Sequence, residues 1–264
     1  MKFKPHLASI ISVFTFLCST NITKAESDVV ISVDEGVSVA QPIAVVPFKG
    51  SANEDVGQII ADDLRNSGKF SPIDRAKLPA QPGSASEVVS QQWTDIGVDM
   101  VVVGQVTPAG AGYNVAYQLV DALSSPAAVL VEGAFNVPAA QMRQGAHTVS
   151  DLIFEKITQI RGAFRTKIAY VAQRGVSSYE LRISDYDGFN AFTVMKSKEP
   201  LLSPSWSPDG SKLSYVTYEN KKALVAVHDL TTGSRRVVGA LKRYNGAPAF
   251  SPDGTKIAFA SNQD

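Results

Sequence analysis

Beyond its first 25 residues the sequence offers few side chains suited to catalysis: two histidines, His147 and His228, no cysteine, and scattered carboxylates. An imidazole becomes a metal ligand or general base when a second ligating or proton-accepting group stands at a fixed short spacing, as in HExxH. Neither histidine has such a neighbour, so structural roles are expected for both. The single cysteine, Cys18, lies near the amino terminus behind the bulky pair Phe16-Leu17, which does not suit a lipid-acceptor site. The remainder of the chain therefore has no disulfide, thiolate nucleophile or Cys-ligated zinc.

No GxSxG, GxGxxG or GxxxxGK[ST] motif occurs. The glycines of Gly104–Gly112 join two strands and lead into no helix, which predicts a hairpin loop rather than a phosphate cradle. Asp185-Tyr186-Asp187-Gly188 begins like a calcium loop. Position twelve of that loop is Lys196 where glutamate is required, so a hairpin turn is expected. The pair Asp62-Asp63 is expected on a solvated helix surface. Neither cofactor nor metal is expected, and binding is a better reading than catalysis.

The elements that would position a binding surface follow from length and pattern. The chain has 264 residues, 44% apolar and 19% charged, with 25 basic and 25 acidic side chains, a globular composition long enough for two domains. Residues 26–264 carry 22 basic against 25 acidic groups, which gives no basic footprint for nucleic acid or anionic lipid. Lys2 and Lys4, the apolar stretch Leu7–Cys18, and Thr23-Lys24-Ala25 form the pattern of a secretory signal peptide over residues 1–25. That stretch is too short to span a bilayer, and no membrane insertion is expected.

Residues 38–164 mix strand and helix signals. Pro42–Phe48 reads as a buried strand, and Asn53 could cap a helix running to Ser67. A second helix is expected near Ala85–Ile96, a strand at Val101–Val103, and a hairpin around Ser124-Ser125-Pro126. Val149, Leu152, Ile153, Ile157, Ile160 and Phe164 then form one stripe of a long helix. The expected class is an α/β (or α+β) domain.

From residue 165 to 264 the grammar is repetitive. Thr166–Val171, Ser211–Val216 and Thr255–Ala260 are one phrase written three times, 45 and 44 residues apart. Pro204–Gly210 and Pro248–Gly254 share a Ser-Pro-Asp-Gly turn, again 44 apart. Short strands at this period predict a β-propeller, incomplete in this chain, with two blades and the start of a third. Trp206 and Phe250 are expected to pack between blades. Propellers close with ~4–8 blades, so truncation of a protein of about 400 residues is expected.

Taken in order, Gln41–Phe48, Ile160–Val171, Leu181–Gly188 and Asn245–Gly254 resemble the TolB family, the periplasmic components of the Tol–Pal system of Gram-negative bacteria. The resemblance implies no enzymatic activity, no cofactor and a six-bladed propeller. It implies a scaffold linking inner-membrane TolA to the outer-membrane lipoprotein Pal, in support of outer-membrane integrity and cell division, with other outer-membrane lipoproteins or colicins as further partners. The TolA-binding segment carried over is residues 26–37, namely Glu26, Ser27, Asp28, Val29, Val30, Ile31, Ser32, Val33, Asp34, Glu35, Gly36 and Val37. Its alternation of Val29, Ile31 and Val33 suits a strand added to a partner's sheet edge, and its acidity equally suits a disordered tail. The implied Pal-facing residues are Tyr244, Asn245, Gly246 and Ala247, with Leu202 and Ser203 by repeat symmetry. The resemblance further implies that docking of the first segment and Pal binding are coupled.

Two rival readings remain on sequence alone. One is the propeller of an exported prolyl-oligopeptidase-type serine hydrolase whose catalytic domain is missing. The other is a sugar-binding propeller, which would place aromatic residues in a channel.

Overall fold

In the α/β domain, a continuous run of β-branched residues sits at the centre of a sheet buried on both faces, as the apolar pattern of Val101-Val102-Val103 demands. The computed structural model describes residues 39–50, 52–241 and 244–262. The signal peptide expected over residues 1–25 and the segment 26–37 lie outside the described residues. Strands β1 (Gln41–Val45), β3 (Phe70–Pro72) and β4 (Met100–Ala109) are parallel, while β5 (Gly112–Asp121) and β6 (Ala128–Pro138) extend the sheet antiparallel in the order β3-β1-β4-β5-β6. The short β2 (Lys49–Gly50) also pairs with β4.

Helices α1 (Val56–Asn66) and α3 (Met142–Thr158) cover one face, where Ile60, Leu64, Val149 and Ile153 meet Val102 and Leu119. The other face is closed by Trp93 of the short α2 (Ser90–Thr94), packed with Val98 against Val101 and Val103.

The strand expected over Pro42–Phe48 ends at Val45, β4 runs through Gly104 to Ala109 where a loop was expected, and three helix boundaries also differ from expectation. Asp55, not Asn53, caps α1: its carboxylate accepts from Gln58 N at 2.9 Å and is gripped by Arg75. Burial opposes this charge, but the Arg75 hydrogen bond dominates and holds the carboxyl below its ordinary range. The helix expected over 85–96 is a 3₁₀ turn at Ala85–Glu87 followed by only five α-helical residues. The long helix stops at Thr158, where Gln159 turns left-handed at φ 60°. Ile160 is outside it, and Phe164 packs on it from the following linker.

The repeats form three sheets. The first joins β7 (Lys167–Gly175), β8 (Ser178–Asp185) and β9 (Phe192–Ser197). The second joins β10 (Leu201–Trp206), β11 (Lys212–Thr217), β12 (Leu224–Asp229) and β13 (Arg235–Gly239). The third pairs β14 (Asn245–Phe250) with β15 (Ile257–Ser261). The thrice-written phrase falls on β7, β11 and β15. The first sheet therefore has no counterpart of β10: the residues at that place in the repeat end α3 and form the linker. This corrects the expectation of two complete blades, since one sheet has four strands and its neighbours three and two.

Leu181 and Ile183 of the first sheet pack against Leu213, Tyr215 and Ala226 of the second, with Trp206 beside them. The Ser-Pro-Asp-Gly turns have matching chemistry: Ser207 Oγ donates to Asp209 and Ser251 Oγ to Asp253, with glycine at φ 70° in both.

Candidate partner-binding surfaces and the domain junction

The implied Pal-facing residues fall into two structural kinds. Strands β10 and β14 each carry a bulge at the same repeat position, between Leu202 and Ser205 and between Gly246 and Ala249. Ser203 and Ala247 occupy the left-handed region there, at φ 49° and 47°, an unfavourable place for a residue with a Cβ. Leu202 and Tyr244 are each 45% exposed, and Ser203 and Ala247 are exposed beside them. Asn245 and Gly246, in contrast, are buried. The Asn245 amide donates to the carbonyls of Ala223 (2.9 Å) and Leu241 (3.1 Å), tying the third sheet to the second. Gly246 leaves room for the Tyr244 ring, whose hydroxyl would lie 2.1 Å from an added Cβ. These two residues thus shape the surface without presenting side chains on it.

Both histidines have settled places. His228, on β12 beside Arg235, is kept below its ordinary pKa by burial and then by that guanidinium. His147 is fully buried at the junction of the two domains. The central group there is Asp63 on α1, expected in solvent from its place in an acidic pair. Asp62 is solvated as expected, but Asp63 is 1% exposed. Its Oδ2 lies 2.8 Å from His147 Nδ1 and accepts from Ser150 Oγ at 2.5 Å; its Oδ1 accepts from Tyr186 Oη at 2.5 Å. Burial and the adjoining Asp63 carboxylate push the Tyr186 phenol well above its usual pKa.

Tyr186 belongs to the Asp-Tyr-Asp-Gly turn, which closes the β8–β9 hairpin as expected. It also inserts into the other domain, which no local pattern in the sequence foretells. Asp187 follows it to Arg143 of α3, accepting from Nε at 3.1 Å and from a second guanidinium nitrogen. Arg143 stacks 4.0 Å from the centre of the Phe189 ring. Beside this, Asp185 is held below its ordinary range: burial disfavours the charge, and hydrogen bonds from Lys167 and Asn190 overcome that penalty. An aspartate, a histidine and a serine meet here, yet Ser150 donates to Asp63 and to the Ala146 carbonyl, not to the imidazole. They are wired as a structural hub, without the nucleophile–base pair of an acyl-transfer site.

On the far side of α3, a groove of ≈ 910 Å³ runs between the open edge of β6 and the linker, with Arg161 and Arg165 on its rim. Among the described residues no cluster suited to a metal ion occurs, and no helix is long and apolar enough to cross a membrane.

A mixed sheet flanked by helices and joined through a sealed polar contact to propeller-type sheets defines a two-domain propeller protein. Residues 29–127 match the TolB amino-terminal domain and residues 154–264 the TolB beta propeller domain. The chain is 79% identical over 250 residues to the Tol-Pal system protein TolB of Actinobacillus pleuropneumoniae, and 73% identical over 249 residues to that of Haemophilus ducreyi. Both matches cover 94% of this chain and 58% of the relative. The crystal structure of TolB from Acinetobacter baumannii superposes with a TM-score of 0.76 at 38% identity, over 84% of this chain and 56% of that one. The chain is a TolB-family sequence through both domains, and it spans a little over half the length of the curated relatives it matches.

Proposed function

We propose that the chain acts as a non-enzymatic, periplasmic binding component of the Tol-Pal system, linking TolA to Pal and so supporting outer-membrane integrity and division. The observation that carries this reading is the 79% identity to a Tol-Pal system protein through both domains in order. The junction supports it. The groups that could have formed a reaction centre are sealed and spent on one another, and the exposed features are strand bulges and loops suited to protein contact.

In this reading residues 26–37 engage TolA as an added strand, and Leu202, Ser203, Tyr244 and Ala247 form part of the surface for Pal. A synthetic Glu26–Val37 peptide is expected to bind the carboxy-terminal domain of TolA in a calorimetric titration, and the chain without those residues is expected not to. Equal TolA binding with and without the segment overturns the assignment. Leu202→Arg, which places a charge at an exposed apolar position of the second surface, is expected to weaken Pal binding about ten-fold in the same titration. Hydrolysis of a peptide substrate by the purified protein would favour the hydrolase reading instead.

A further inference from the structure

The repeats inside the chain supply their own control for what the first blade's turn does. Asp185-Tyr186-Asp187-Gly188 and Asp229-Leu230-Thr231-Thr232-Gly233 occupy the same repeat position. The second is self-contained: Asp229 accepts from Thr231 and Thr232, and glycine closes the turn at φ 70°. The first departs from it at Tyr186, Asp187 and Phe189, and all three departures touch the other domain.

From these departures we infer that Tyr186 and Asp187 are an interdomain latch, which fixes the angle between the α/β domain and the propeller sheets and whose release lets them swing about residues 159–166. Three features support a latch rather than ordinary packing. First, the cross-domain bonds converge on two carboxylates, Asp63 and Asp187, with His147 between them: its Nδ1 faces the former, and its Nε2 lies 3.7 Å from the latter. Charge-assisted bonds in such a dry site are strong when made, and costly if left half-made, so the contact favours being fully closed or fully open. Second, aromatic edge-to-face contacts run Phe154–Phe164–Tyr186–His147, at centroid distances of 5.6, 5.5 and 5.5 Å, and tie the linker into the same closure. Third, Gln159 at φ 60° breaks α3 at the start of the linker, so no continuous helix stiffens the connection.

The test uses spin labels at two exposed positions, Gln92→Cys on α2 and Thr232→Cys on the second, four-stranded sheet, in the full chain with its single native cysteine replaced, Cys18→Ser, so that only these two sites are labelled. With the latch intact, pulsed dipolar spectroscopy gives one narrow distance distribution. Tyr186→Phe combined with Asp187→Asn keeps both ring and turn but removes the phenol hydrogen bond to Asp63 and the charge that pairs with Arg143. That variant is expected to broaden the distribution about two-fold and to speed proteolysis within 159–166 about ten-fold. Unchanged far-ultraviolet circular dichroism assigns the change to orientation. Asp63→Asn, made from the other side, should act in the same direction. Equal widths and cleavage rates in the folded double variant overturn the latch, as does a broad distribution in the unmutated protein.

Discussion

Asp63 shows how one side chain can be misjudged for good reason and still be recoverable. Paired acids on a helix are ordinarily solvated, but Asp63 stands four residues after Ile59 and seven after Val56, on the stripe that faces the core. A carboxylate on that stripe must find partners, and the sequence does not reveal that they come from Ser150 and a tyrosine more than a hundred residues away. Asn245 is the same lesson on a strand: a polar residue read as surface is spent internally. Asn245→Ala should destabilise the chain by about 1–3 kcal/mol, measured as a lower urea midpoint, because two carbonyls lose their donor. The turn aspartates make a pH prediction. Hydrogen bonds from Ser251 and Thr255 hold Asp253 at about 2, and those from Thr231 and Thr232 hold Asp229 at about 2, against an unperturbed 3.8. A carboxyl depressed on folding contributes stability above its unfolded value and loses it as pH falls through the folded one. Stability should therefore decline between pH 4 and pH 2, and Asp253→Asn should make that decline shallower in urea titrations at a series of pH values.

At the scale of elements, regular repetition was legible and irregular joints were not. Strands β7, β11 and β15 announce themselves because one phrase recurs, and the Ser-Pro-Asp-Gly turns follow from φ preferences that no tertiary context overrides. The end of α3 was hidden because its apolar spacing continues past the helix: Phe164 keeps the period, while the backbone has already turned at Gln159. The linker is held there by Asp151, which accepts from Phe164 N at 2.8 Å and from Arg165 Nε at 3.2 Å. This approach needs Gly162, since a Cβ would sit 2.6 Å from the Asp151 Cα and 2.4 Å from its Oδ1. Gly162→Ala should cost about 1–3 kcal/mol in thermal unfolding by forcing the linker off α3.

Across the whole molecule, burial is uneven. Val101, Val102 and Val103 of β4 are fully buried, whereas the hairpin tip joining β7 to β8, residues 173–178, is exposed throughout, with Val176 at 93%. Amide hydrogen exchange followed by mass spectrometry should therefore show slow exchange in β4 and β5 and fast exchange in residues 173–178, and uniform protection would contradict that gradient. A different consequence belongs to the place of β1. It pairs with β3 over 41–43 and with β4 over 44–45, reinforced by Gln41 N to the Lys69 carbonyl and Val46 N to the Val102 carbonyl. A partner that grips the chain ahead of Val39 and draws it along the strand would load these rungs together in shear, not peel them singly. The α/β domain is thereby anchored by an interior strand against tension, and a tether attached there can transmit force before it unravels the domain to which it is fixed.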